Sequence, residues 1–195
     1  MAPARPFELV IFDMDGTLIE QMLDFEGIRK HLGIRPNEGI LEGIANMPPD
    51  RRTQAEHWLV RTEHLIAQNA RLMPGAIETL AAIRNANIQT ALLTRNTRAS
   101  MQTVLEKFDL RFDLAWSRED GPIKPEPDSV LKACETLGVA PGQTACIGDF
   151  EYDIVAANAA GAVSILLVPD SRPPFADTAD RVIIKLSELP ALLGI

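Results

Sequence analysis

At 195 residues the chain has room for one ordinary domain and a modest insertion, not for two large domains. Hydrophobic residues make up 46% and charged residues 24%, a globular composition that excludes disorder, coiled coil and collagen. With 27 acidic against 19 basic residues the formal net charge is −8, so the basic footprint of a general nucleic-acid binder is absent.

The first strand signal is Glu8 to Phe12, which runs into the acidic turn Asp13-Met14-Asp15-Gly16-Thr17. Those aspartates cut the apolar run short of a signal-peptide core. Even a run such as Ser164 to Val168 is far too short to span a bilayer. The expectation is a soluble cytoplasmic protein with no membrane partner. From 21 to 72 only helical signals follow. One helix covers Phe25 to Leu32, closed by Gly33 where a left-handed residue is wanted. A second covers Gly39 to Asn46, ended by Pro48-Pro49. The third runs from Pro49 through Leu72, with Ala55, Trp58, Leu59, Thr62, Leu65, Ile66 and Asn69 at helical spacing. Met73-Pro74-Gly75 then reads as a hinge.

Beyond the hinge, helical segments (Ala76 to Asn85, Arg98 to Phe108, Asp128 to Leu137, Tyr152 to Ala160) lie between most of the short apolar runs. Those runs are Ile88 to Leu93, Thr144 to Ile147, Val163 to Val168 and Val182 to Ile184. Continuous rather than alternating apolar strands are covered on both faces. The alternation implies an α/β fold with a parallel sheet and right-handed crossovers. Residues 1–20 and 73–195 form the core in this reading, and 21–72 a small helical cap. Ligands bind such sheets at the carboxyl ends of the strands, where an insertion after the first strand would sit as a lid.

Asp13 and Asp15, two apart in extended chain, direct both carboxylates into one volume. Two adjacent carboxylates split their pKa values, which suits one to be an ionised nucleophile and the other a proton donor; an Asp-Gly turn is the plain alternative. Thr94 ends a strand shortly before a helix N-terminus, a place that attracts phosphate, although Thr97 is the better N-cap. Lys124 lies in Gly121-Pro122-Ile123-Lys124-Pro125-Glu126-Pro127, whose prolines would hold it as a fixed charge. Asp149 leaves the strand Thr144 to Ile147 much as Asp13 leaves the first. Asp153 falls in the next helix's first turn, where the macrodipole alone favours an acid. Cys134 and Cys146 read as buried core thiols. His57 and His64 share a helix face with Arg61 and Gln68, a solvated surface rather than a metal site.

Asp-x-Asp-x-Thr, then Thr, then Lys-Pro, then Gly-Asp-x-x-x-Asp occur in this order, each after a strand or stiff loop. In this the sequence resembles the haloacid dehalogenase-like superfamily, over nearly the whole chain, with the flavour of its phosphoglycolate phosphatase-like group and a short version of its helical cap. The resemblance implies a Rossmann-like three-layer core and the following roles. Asp13 is the nucleophile and forms an aspartyl-phosphate; Asp15 is the acid and base. Thr94 and Lys124 bind the phosphoryl oxygens. Mg²⁺ is held by the Asp13 carboxylate, the Asp15 carbonyl and Asp149, with Asp153 supporting its water shell or orienting Lys124. Where many relatives carry asparagine or a small residue, this chain has Arg95. Two readings stay open for it: a phosphate or substrate contact, with Asn96 supplying the polar group otherwise, or a side chain in solvent.

The function implied is a Mg²⁺-dependent phosphatase acting on a small phosphorylated metabolite, because the dehalogenase branch lacks the second aspartate. A sugar-phosphate mutase and, further off, a receiver-like phospho-accepting module are the alternatives. Arg29, Lys30, Arg35, Arg51 and Arg52 on the insertion either face an anionic substrate or are solvated. The sequence carries no signal of oligomeric state.

Overall fold

A computed structural model describes residues 7–169 and 171–195. The first six residues of the expected 1–20 segment lie outside the described residues. The fold is α/β as expected. Six parallel strands, β1 (Leu9–Phe12), β2 (Gln89–Leu93), β3 (Leu114–Trp116), β4 (Thr144–Gly148), β5 (Val163–Leu167) and β6 (Arg181–Ile183), form one sheet in the order β3-β2-β1-β4-β5-β6. Three helices, α1 (Phe25–Leu32), α2 (Ile40–Ala45) and α3 (Pro49–Asn69), separate β1 from the rest; α4 (Ala76–Asn85), α5 (Arg98–Lys107), α6 (Asp128–Leu137), α7 (Glu151–Ala160) and α8 (Leu189–Leu193) follow.

Strand side chains alternate between two apolar layers, as a period of two requires. Val10 and Phe12 of β1, with Leu92 and Ile147, pack against α4, α5 and α8. Leu9 and Ile11, with Ala91, Leu93 and Cys146, pack against α6 and α7. Both faces are therefore covered, which is why β1 is apolar throughout and β2, β4 and β5 carry consecutive apolar residues. Cys134 and Cys146 are buried free thiols within the second layer. Among the described residues no helix is long and apolar enough to cross a membrane.

The chain leaves β1 in one direction for β2 and β3 and returns to its other side for β4, β5 and β6. The topological switch thus lies between β1 and β4. Phe12 pairs with Leu92 on one side and with Ile147 on the other. The carboxyl ends of β1, β2 and β4 consequently finish level, and the residues that follow them open on one crevice.

Between β1 and α4 the chain makes a helical layer with its own apolar cluster of Ile28, Leu32, Ile34, Ile44, Ala55 and Leu59. Asp24 caps α1 by accepting from the Gly27 amide at 2.9 Å, and Gly33 ends it at φ +71°. The two connectors of this layer lie side by side: the Glu20 amide donates to Arg71 O and the Met73 amide to Leu18 O, both at 2.9 Å. Two readings of the sequence are corrected. The short strand β3 was not anticipated, because three apolar residues carry no period. The inner face of α3 is Ala55, Leu59, Glu63 and Ala67, at steps of four, and Leu65 is 59% exposed.

This face assignment predicts that Leu59→Ala lowers the free energy of unfolding by about 2–5 kcal/mol, the cost of a cavity at a buried leucine. Leu65→Ala stays within about 0.5 kcal/mol, as surface changes do. Urea denaturation of both variants checks the contrast.

Candidate active site

A cavity of about 130 Å³ opens where β1, β2 and β4 end, roofed by residues of α1, α2 and α3. Asp13, Asp15, Thr94, Arg95, Asn96, Lys124, Asp149 and Asp153, which lie in four separate stretches of the chain, all line it. Asp13 directly follows β1, with its amide donating to Ile147 O at 2.9 Å, so the strand ladder fixes its backbone.

Lys124 sits at the centre of the charge. Its Nζ lies 2.6 Å from Asp13 Oδ1 and 2.6 Å from Asp153 Oδ1. Asp153 Oδ2 in turn accepts from the Phe150 amide at 3.1 Å, which ties the acid to the start of α7 as the helix dipole favours. Burial alone would lower the Lys124 pKa, but the two carboxylates outweigh it and raise the value, so the ammonium stays charged. One ammonium does not balance the carboxylates around it. Burial, only partly offset by Lys124, pushes Asp13 up to about 7. Burial and the neighbouring charges of Asp13 and Asp153 push Asp149 up to about 8. Asp15 is also raised by burial; its Oδ2 accepts from Asn96 Nδ2 at 2.9 Å, while its buried Oδ1 has no partner among the described residues.

Around Thr94 the local bonds divide the roles that sequence left open. Thr94 Oγ1 accepts from the Asn96 amide at 3.0 Å. Thr97 is the N-cap of α5, accepting from the Ser100 amide at 3.1 Å. The Arg95 side chain is only 19% exposed, so it is not turned out to solvent. It donates through Nη1 to Lys124 O and through Nη2 to Glu42 Oε1, both at 2.7 Å.

Several residues at the cavity had no motif to announce them. Glu63 lies on the inner face of α3 and pairs with Arg118 at 2.7 Å, yet its Oε2 is buried without a partner among the described residues. Burial raises its pKa against the pull of Arg118. A strict four-residue step from Leu59 would have placed it inward. Leu23, Phe25, Ile40, Leu59, Phe150 and Tyr152 give the roof and rim an apolar lining. Of the basic residues on the insertion, Arg29 lines the cavity. Arg51 and Arg52 donate to Leu32 O and Met47 O within the insertion, and Arg35 pairs with Glu38.

The acidic cluster fits a small hard cation. Oxygens of Asp13, Asp149 and Asp153 lie within 4.8 Å of one another. An all-oxygen donor set is the kind that suits Mg²⁺. The backbone is shaped around the same acids: Gly16, at φ +78°, leaves the space that the Asp149 carboxylate occupies, and a Cβ there would run into it.

The sequence profile of the haloacid dehalogenase-like hydrolases matches residues 7–161. A haloacid dehalogenase-like hydrolase domain-containing protein of Arabidopsis thaliana is 31% identical over 170 residues, covering 81% of this chain and 69% of its own. A phosphoglycolate phosphatase of Chromobacterium violaceum is 26% identical over 188 residues, covering 83% of this chain and 85% of its own. The crystal structure of a hydrolase from Pseudomonas syringae superposes with a TM-score of 0.81 at 19% identity, covering 96% of this chain and 99% of that one.

Gly16→Ala is expected to cost about 1–2 kcal/mol from the left-handed backbone alone and to displace Asp149. Urea denaturation reads the first effect. Calorimetric titration with Mg²⁺ reads the second, as affinity weakened by about tenfold or more, the scale of lost ligand support.

Proposed function

The chain belongs to the haloacid dehalogenase-like hydrolases, and from that premise we propose that it is a Mg²⁺-dependent phosphatase that cleaves a small phosphomonoester through an aspartyl-phosphate on Asp13. The observation that carries the reading is the meeting of Asp13, Asp149 and Asp153 around one locus, with the Lys124 ammonium 2.6 Å from Asp13 and from Asp153. An anion attacking a dianionic phosphate needs cations and donors around the transferring group. Asp13 and Asp149, with the Asp15 carbonyl and Asp153 behind them, would hold Mg²⁺, which when bound neutralises charge on the phosphoryl oxygens.

Asp13 supplies the nucleophile. Lys124 engages its Oδ1 and leaves Oδ2 to attack phosphorus, forming the acyl phosphate as the ester P–O bond breaks. Asp15 supplies the proton. Burial raises its pKa and so favours the protonated acid, and the Asn96 bond to Oδ2 leaves Oδ1, which has no partner among the described residues, to face the leaving oxygen. The ionised Asp15 then takes a proton from water as that water attacks phosphorus and the bond from Asp13 Oδ2 to phosphorus breaks, which releases inorganic phosphate, frees the Asp13 carboxylate and reprotonates Asp15. Thr94, Lys124 and the Arg95-Asn96 segment bind the phosphoryl oxygens. Residues 21–72 act as a cap on a core of 1–20 and 73–195, excluding bulk water while the intermediate exists. The substrate is a small phosphorylated metabolite and the setting the cytoplasm.

The purified protein is expected to release phosphate from p-nitrophenyl phosphate only with added Mg²⁺, with activity abolished by EDTA. Asp13→Asn loses ~10³-fold or more in kcat, and Asp15→Asn ~10²–10⁴-fold. Undiminished turnover in Asp13→Asn or full activity in EDTA defeats the proposal. Transfer of the phosphoryl group from Asp13 to a sugar monophosphate, giving a bisphosphorylated sugar without free phosphate, would make the enzyme a mutase instead.

A further inference from the structure

Arg95 is tied to more of the molecule than a phosphate contact requires. Its Nη1 holds Lys124 O and its Nη2 holds Glu42 Oε1 on α2, each at 2.7 Å. Its guanidinium carbon lies 4.4 Å from the centroid of the Tyr152 ring, over the face. Its backbone is bound as well. Arg118 Nη1 donates to Arg95 O at 3.0 Å and to Glu63 Oε1 on α3 at 2.7 Å. Glu42 and Glu63 come from different helices of the insertion, yet both reach residue 95, one directly and one through Arg118.

We propose that Arg95 is a positioning residue that couples the seating of α1–α3 over the cavity to the placement of Lys124. The inference rests on Lys124 being the lysine that meets the phosphoryl group. A guanidinium is a rigid plane with donors on several edges. With Tyr152 under its face, it satisfies Lys124 O and Glu42 together only in one orientation. If α2 withdraws, Glu42 goes with it, and among the described residues Arg95 makes no other ion pair. The guanidinium then turns toward water and releases the carbonyl of Lys124. Pro122, Pro125 and Pro127 stiffen that loop, so a shift of the carbonyl carries to the Nζ between Asp13 and Asp153. Seating the helices therefore sets the lysine. Gly39 is part of the same joint: a Cβ there would strike the Glu42 carboxylate and crowd the Tyr152 hydroxyl.

Glu42→Gln, Arg95→Lys and Arg95→Met test this by hydrogen exchange of the full-length protein, which needs no turnover. The probe amides are that of Glu126, bonded to Ile123 O in the lysine loop, and that of Gly43, bonded to Gly39 O at the start of α2. Glu42→Gln is expected to speed exchange at Glu126 by about fivefold or more, a typical coupling factor, with the sheet amide of Leu92 unchanged. Arg95→Met speeds both probes. Arg95→Lys keeps a charge for Glu42 but reaches one acceptor at a time, so it restores Gly43 and not Glu126. Exchange at Glu126 within twofold of wild type in Glu42→Gln overturns the coupling, as does equal acceleration of Leu92, which marks general destabilisation. In kcat/KM, Glu42→Gln added to Arg95→Met costs no more than Arg95→Met alone, and multiplying effects overturn the coupling. Accelerated Glu126 exchange in a protein that hydrolyses no phosphate ester would sustain the coupling and reject the phosphatase reading.

Discussion

Lys124 lies 2.6 Å from Asp13 and from Asp153 in a pocket that also contains Asp15 and Asp149. Two unit charges about 4 Å apart repel by about 4 kcal/mol at an effective dielectric near 20. With one ammonium among them, these acids cannot all be ionised at ordinary pH. The chain alone answers with protons, which is the physical meaning of Asp13 near 7 and Asp149 near 8. A divalent cation held by these acids would answer with charge instead, in place of the protons. The acids are held in place by strand ends, by the α7 N-terminus and by the space at Gly16.

The lower layers of this arrangement were open to reading in the sequence. Strands buried on both faces are written as continuous apolar runs, and β1, β2, β4 and β5 each carry one. Asp13 and Asp149 are conspicuous because a charge directly after such a run has no apolar surface to join. β3 escaped because Leu114-Ala115-Trp116 is too short to show a period, and it is all half-buried. The inner face of α3 escaped for a different reason. Hydrophobicity weights Leu65 inward and Glu63 outward, whereas packing against α5 and the pairing with Arg118 reverse them. Arg95 was the least legible residue. Its partners, Lys124 O and Glu42, stand 29 and 53 residues away in sequence, and nothing local announces them.

How the insertion is held explains how it can serve the site below it. Its apolar cluster is separate from those that flank the sheet. One end is anchored firmly. Ala67 and Ala70 join the main core, Lys107 donates to Gln68 O and Ala70 O, and the two connectors bond to each other between Leu18 and Met73. Over the cavity, α2 and the middle of α3 are seated by charge through Glu42 and Glu63, with Phe25 and Phe150 as an aromatic contact 6.3 Å apart.

That division has an energetic consequence. Pulling an apolar face away from the sheet would expose it at roughly 25 cal/mol per Å², whereas the exposed part of an ion pair exchanges its partner for water at little net cost. The Glu42 pair, 45% exposed at its acid and 19% at Arg95, is of that second kind on the acid's side. The Glu63 pair, 7% and 15% exposed at its two ends, is not, because opening there would strand charge that burial already disfavours. Opening over the cavity therefore gives up the Glu42 pair more readily than the Glu63 pair, and α2 does not lift alone, because Ile44 shares one apolar cluster with Ala55 and Leu59 of α3. Since Arg95 grips α2 with its side chain and answers to α3 through its backbone, the first movement of the roof is registered at the lysine before the deeper pair is disturbed.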